Sequence, residues 1–146
     1  MITSPIQLLI VEDNPGDVRL LRECFGESRL QYEIHVVEDG EQAIDFIFRK
    51  GAHKKAPRPD LVLLDLNLPK LDGHTVLDRV KKDPKLKRIP IVVLTSSQNE
   101  RDILKSHDLH ANCYLVKPML FDQYQSMVKS IEEFWFNMSE LPNQSK

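Results

Sequence analysis

Leu61-Val62-Leu63-Leu64-Asp65, followed by Leu66-Asn67-Leu68-Pro69-Lys70-Leu71-Asp72-Gly73, is the stretch on which the fold turns. Four consecutive apolar residues describe a strand covered on both faces, as in the centre of a parallel sheet, rather than a half-exposed strand with alternating polarity. The run ends in a carboxylate and then in a loop punctuated by Pro and Gly. Nothing in the burial of a strand calls for an acid at its end. In open α/β sheets, however, ligands sit just outside the carboxyl ends of the strands. Taken alone, Asp65 could equally cap a helix or face solvent.

Working outward, the same signature recurs. Residues 6–11 (Ile-Gln-Leu-Leu-Ile-Val) form an apolar strand that ends in Glu12-Asp13. Asn14-Pro15 then starts a helix, Asn as N-cap and Pro at its first position, with apolar residues at helical spacing over 15–27. Residues 32–37 alternate in polarity and read as a strand nearer an edge. Asp39-Gly40 opens a second helix that stops at Gly51, and a basic, Pro-containing loop spans 51–60. A third helix starts at Gly73 and ends near Asp83-Pro84. Residues 91–95 form a fourth apolar strand ending in Thr95, and a weak fourth helix covers about 100–109. Residues 111–116 form a fifth strand ending in Lys117-Pro118. The last helix runs from about 121 to 138.

Five strands alternating with five helices predict a doubly wound α/β sandwich. With the first, third and fourth strands in the middle, right-handed crossovers lead to the flavodoxin-like order 2-1-3-4-5. The chain of 146 residues, 41% hydrophobic and 29% charged, suits one domain. Its expected extent is 5–138, with 139–146 as a C-terminal tail and no output domain. A net charge of -2 gives no field favouring nucleic acid. The lysines and Arg88 between 81 and 88 read as a solvated, dipole-matched helix end. No apolar run approaches a membrane span, the N-terminus lacks signal-peptide features, and Cys24 and Cys113 lack metal-ligand spacing. These features point to a cytoplasmic protein.

In that topology Glu12, Asp13, Asp65, Thr95 and Lys117 converge on one crevice. Three neighbouring carboxylates repel one another, and a divalent cation and the Lys117 ammonium would relieve the repulsion. Hard oxygen ligands suit Mg²⁺, and the main-chain carbonyl of Asn67 could add another. The Glu-Asp-Asn-Pro-Gly-Asp loop has no phosphate-cradling pattern, but the arrangement suits phosphoryl transfer onto a carboxylate. Asp65 would be the nucleophile, with Lys117 and Thr95 facing the phosphoryl oxygens.

Together, Glu12-Asp13, Asp65 with Pro69 and Asp72-Gly73, Thr95, and Lys117-Pro118 resemble the receiver domain of bacterial two-component response regulators over about residues 5–135. The resemblance implies that Asp65 accepts a phosphoryl group from a histidine kinase, and that Glu12, Asp13, Asp65 and the Asn67 carbonyl hold Mg²⁺. It also implies that Thr95 and Tyr114 move together as a switch, that the Lys117-Pro118 bond is cis, and that Asn67 and Ser97 influence how long the phosphoryl group lasts. Such a protein catalyses only its own phosphotransfer and dephosphorylation. Asp-Leu-Asn-Leu-Pro-Lys, Ala-Asn-Cys-Tyr-Leu-Val-Lys-Pro and Ile-Glu-Glu-Phe-Trp further resemble single-domain regulators paired with cyanobacterial phytochrome kinases, implying a light-regulated kinase upstream.

The last helix carries Tyr124, Met127, Val128, Ile131, Phe134, Trp135 and Met138 as an apolar stripe. At about 27 Å it outruns a six-residue strand of about 20 Å. Phe134, Trp135 and Phe136 cannot all face one core. Either two of them cap its bottom, or they belong to a homodimer surface of the fourth helix, fifth strand and last helix, as in many such regulators. His107 and His110 read as surface histidines. Two other readings stay open. One is a Mg²⁺-dependent phosphohydrolase with an aspartyl nucleophile, although Asn67 stands where such enzymes usually carry a second acid. The other is a receiver-like interaction module that is never phosphorylated.

Overall fold

A computed structural model describes residues 4–95, 113–117 and 120–137. Five parallel strands, β1 (Ile6–Val11), β2 (Tyr32–Val37), β3 (Leu61–Asp65), β4 (Ile91–Thr95) and β5 (Cys113–Val116), lie in the order β2-β1-β3-β4-β5. Helices α1 (Pro15–Gly26), α2 (Gly40–Phe48) and α3 (Gly73–Lys82) and the C-terminal helix (Phe121–Ile131) complete the described body. The expected α/β sandwich and strand order are those observed. The expected fourth helix, Ser97, His107, His110 and Pro118 lie outside the described residues.

The central strands are apolar throughout because both faces are covered. Leu9, Val11, Val62, Leu64, Ile91 and Val93 pack against α2 and α3, whereas Ile6, Leu8, Ile10, Leu61, Leu63, Val92 and Leu94 pack against α1 and the C-terminal helix. Alternation along each strand decides where the strand-end residues point. Ile10, Leu63 and Leu115 share the face of α1, so Glu12, Asp65 and Lys117, two residues further on, leave the sheet on that side. Register brings them level: Val11 pairs with Leu64, Asp65 with Leu94, and Thr95 with Val116. Backbone bonds from Glu12 N to Val37 O (3.0 Å), Leu66 N to Leu94 O (3.1 Å) and Lys117 N to Thr95 O (2.6 Å) extend the ladders past the strand ends and hold the outgoing backbone.

The helix starts follow their caps. Asn14 accepts from Asp17 N, Asp39 from Gln42 N and Asp72 from Thr75 N. Helix α2 ends at Phe48, short of the expected Gly51, because Arg49 turns left-handed (φ 58°) and Gly51 opens a separate 3₁₀ turn. The sequence predicts a last helix from about 121 to 138. It instead leaves α geometry after Ile131 and continues as a π-helical stretch over Glu132–Asn137. There the buried carboxylate of Glu132 accepts from Ser28 Oγ and, at 2.6 Å, from Tyr32 Oη, which ties the helix end to the α1–β2 connection.

Candidate functional site

The site grows out of β1, β3 and β5. Glu12 and Asp65 are buried at the ends of the first two, and Asp13 is exposed beside them. One carboxylate oxygen from each of the three lies within 4.8 Å of the others. The ammonium of Lys117, also buried, donates to Glu12 Oε1 at 2.6 Å, Asp17 Oδ2 at 2.9 Å and Asp65 Oδ2 at 3.3 Å. Three carboxylates therefore share this one ammonium, with the Asp13 carboxylate beside two of them.

This imbalance shows in the electrostatics. Burial, only partly offset by the Lys117 hydrogen bond and reinforced by Asp65, pushes the Glu12 carboxyl up to about 7. Burial works against the charge of Lys117. The Glu12 and Asp17 hydrogen bonds and the field of Asp65 outweigh it and hold the ammonium well above its ordinary range. Lys117 is therefore a fixed cation. The clustered hard-oxygen acids, more numerous than their protein counter-charge, are the donor set that a divalent metal ion fits.

Asp17 is the residue that the strand-end pattern does not reveal. It was visible only as the third position of α1, one helical turn beyond Asp13 and just past the Asn14 cap. An acid there is ordinarily read as a partner of the helix dipole. The contact with Lys117 depends on β5 arriving opposite α1, which local sequence does not contain.

On the other side of Asp65, the main-chain N–H of Asn67 donates to Asp65 Oδ1 at 2.9 Å. The Asn67 side-chain amide donates to Thr95 Oγ1 at 3.3 Å, joining the β3–α3 loop to the fully buried hydroxyl at the end of β4. Tyr114 is half-buried and packs on the α2–α3 face of the sheet. The loop itself is clamped from α2. Lys70, in left-handed conformation (φ 67°), reaches the buried Asp39 with Nζ 3.7 Å from Oδ2. Gly40 has no room for a Cβ, which would lie 1.8 Å from Leu71 O. At the other end of the loop, a Cβ on Gly73 would lie 2.6 Å from Asp65 O and Leu66 Cα.

Comparison with known proteins decides the family. The response regulator receiver domain model matches residues 8–129. The chain belongs to that family. Response regulator Rcp1 of Synechocystis sp. is 46% identical over 138 residues, 94% of each chain. Among solved structures, the phosphorylated cyanobacterial phytochrome response regulator RcpA matches with a TM-score of 0.87 at 47% identity, covering 95% of this chain and 99% of that one. The Mn(2+)-bound form of Rcp1 matches at 0.86 and 46%, covering 94% and 99%. As a receiver of this family, the chain is a phosphorelay response regulator, and its strand-end acids form a candidate divalent-metal site.

Proposed function

We propose that Asp65 is the phosphoryl acceptor. A carboxylate oxygen attacks the phosphorus of a histidine kinase's phosphohistidine, the P–N bond breaks, the imidazole leaves and an acyl phosphate remains. The observation that carries this reading is the seating of Asp65: its two oxygens are oriented by Lys117 and by the Asn67 N–H, beside two further acids. Lys117 neutralises the incoming phosphoryl oxygens and Thr95 donates its hydroxyl to one of them. Glu12, Asp13, Asp65 and the Asn67 carbonyl would hold Mg²⁺, which supplies further charge neutralisation when bound. The chemistry is confined to the protein's own phosphorylation and dephosphorylation, with no separate substrate.

The relatives narrow the partner. Phytochrome response regulators recur among them, and one further solved structure is a response regulator in red light signalling of R. palustris, with a TM-score of 0.83 at 32% identity, covering 94% of this chain and 98% of that one. A phytochrome-type histidine kinase in the cytoplasm is the donor that fits. No helix among the described residues is long and apolar enough to cross a membrane. Receiver body 5–138 then signals through protein contact, as a homodimer through the 100–109 segment, β5 and the C-terminal helix. Support comes from the aromatic run that follows this helix, where Phe134 is 69% exposed.

Incubation with Mg²⁺ and acetyl phosphate, read by intact-mass and peptide mass spectrometry, tests the acceptor. One phosphoryl group is expected on wild type at Asp65 and none on Asp65→Asn. Equal addition to both proteins would overturn the assignment.

A further inference from the structure

The Lys117 ammonium has three N–H groups, and each is engaged by a different carboxylate: Glu12 at 2.6 Å, Asp17 at 2.9 Å and Asp65 at 3.3 Å. A phosphoryl group on Asp65 brings three strong acceptor oxygens into the same space. Lys117 has no uncommitted N–H to offer them, so one of the three existing bonds must open. Glu12 and Asp65 belong to the acid set suited to a metal ion, and Asp17 does not. Asp17 is also the most exposed of the three, with 26% of its side chain accessible, so Lys117 can release it at least cost.

The same side of the sheet holds an unused donor. Tyr124 sits in the second turn of the C-terminal helix, on the same face of the sheet as Glu12, Asp65 and Lys117, and is fully buried. Its hydroxyl has no hydrogen-bond partner among the described residues. A buried donor in that state disfavours the arrangement that leaves it so. Burial first, and then the charge of Asp17, with Lys117 opposing and Glu12 and Asp65 adding to it, pushes the phenol up to about 12, so it keeps its proton at neutral pH.

We propose that Tyr124 is a positioning residue whose hydroxyl donates to Asp17 when Lys117 turns from Asp17 to a phosphoryl group on Asp65. The inference rests on Asp65 being the acceptor. Tyr124 then acts through Lys117: by giving Asp17 a replacement donor, it lowers the cost of the phosphorylated arrangement. In the unphosphorylated arrangement the same hydroxyl is a liability, so the residue biases the switch from both sides.

The test compares wild type, Tyr124→Phe, Asp17→Ala and the double variant, with Mg²⁺ fixed and beryllofluoride added as the phosphoryl mimic. Half-saturation and the thermal midpoint with and without the mimic are recorded. Tyr124→Phe is expected to raise the half-saturating beryllofluoride concentration about three- to tenfold, the worth of one hydrogen bond. Its midpoint without the mimic should be unchanged or higher. In the Asp17→Ala background the substitution should have no further effect on saturation. Unchanged half-saturation in Tyr124→Phe, or an equal effect with and without Asp17, would overturn the proposal. Should Tyr124→Phe not fold, wild type labelled with 3-fluorotyrosine replaces it, the Tyr124 ¹⁹F signal being assigned from Tyr32→Phe and Tyr114→Phe. That signal must move on adding beryllofluoride, and a fixed signal counts against the role. Mass-spectrometric labelling of Asp65 in wild type is read first. Its absence removes the acceptor assignment and this inference together, whereas labelling with unchanged saturation removes this inference alone.

Discussion

Nζ of Lys117 lies 2.6 Å from Oε1 of Glu12, so the ends of β5 and β1, 105 residues apart in sequence, meet across β3 and β4 through one buried ion pair. The pair is not worth its Coulomb energy alone, because both groups leave water to form it. Its importance lies in what remains when one partner is removed. Lys117→Met would leave Glu12 and Asp65 buried beside Asp13 and Asp17 with no ion-paired cation among the described residues. The expected loss is about 3–5 kcal/mol of unfolding free energy at pH 7, measured by urea titration. Millimolar Mg²⁺ should restore part of it, since the same acids then regain a counter-charge.

The same cluster sets a pH dependence. Glu12 titrates at about 7 in the folded chain, against 4.5 for an unperturbed carboxyl. A carboxyl whose folded value lies above its unfolded one favours folding while protonated. Its contribution is complete below about 4.5 and is lost as pH rises through about 7. Stability without divalent metal should therefore fall between those values wherever Glu12 dominates. Because the Lys117 hydrogen bond pulls the Glu12 value down, the fall should continue to higher pH in Lys117→Met. Urea midpoints at half-unit pH steps check both slopes.

Two glycines make a matched pair. A Cβ on Gly73 would press on backbone atoms at 2.6 Å, including the carbonyl of Asp65 itself, and backbone gives way less readily than a flexible side chain. Gly73→Ala should cost about 1–3 kcal/mol and slow labelling of Asp65 by shifting the β3–α3 junction. A Cβ on Gly26, the last residue of α1, meets nothing within 4 Å. Gly26→Ala should stabilise by about 0.5–1 kcal/mol and leave the labelling rate unchanged. Thermal melts together with acetyl-phosphate kinetics distinguish the two.

The features legible beforehand were those written locally. The apolar runs 6–11, 61–65 and 91–95 became β1, β3 and β4 with those bounds, because only a strand covered on both faces tolerates four or five consecutive large apolar residues. Glu12, Asp13 and Asp65 were recognisable because each interrupts such a run at its carboxyl end. Features set by long-range contact were not legible. Asp17 looks like a helix-dipole acid until β5 delivers Lys117 to it, and Glu132 looks like one more surface acid of an amphipathic helix. Its burial under Ser28 and Tyr32, 104 and 100 residues away, coincides with the change from α to π geometry, and helical periodicity carries no trace of that.

That distal contact supports the last prediction. The Tyr32 hydroxyl donates to Glu132 Oε2 at 2.6 Å, and burial together with the adjoining carboxylate drives the phenol far above its ordinary range, so the proton stays on Tyr32. Tyr32→Phe keeps the ring and its edge-on packing against Phe25, with centroids 4.8 Å apart, and removes only the donor. Among the described residues, Glu132 would then keep only the Ser28 donor. The expected cost is about 1–3 kcal/mol, the usual range for under-satisfying a buried charged acceptor, measured by urea unfolding. The substitution also loosens the tether that fixes where Glu132–Asn137 leaves the body, and with it the run Phe134-Trp135-Phe136. If that run forms the homodimer surface, Tyr32→Phe should move sedimentation toward monomer in the direction of Trp135→Ala but by less, although Tyr32 lies on β2 beside β1, remote from β5. A sedimentation profile unchanged in both variants would place self-association elsewhere on the molecule.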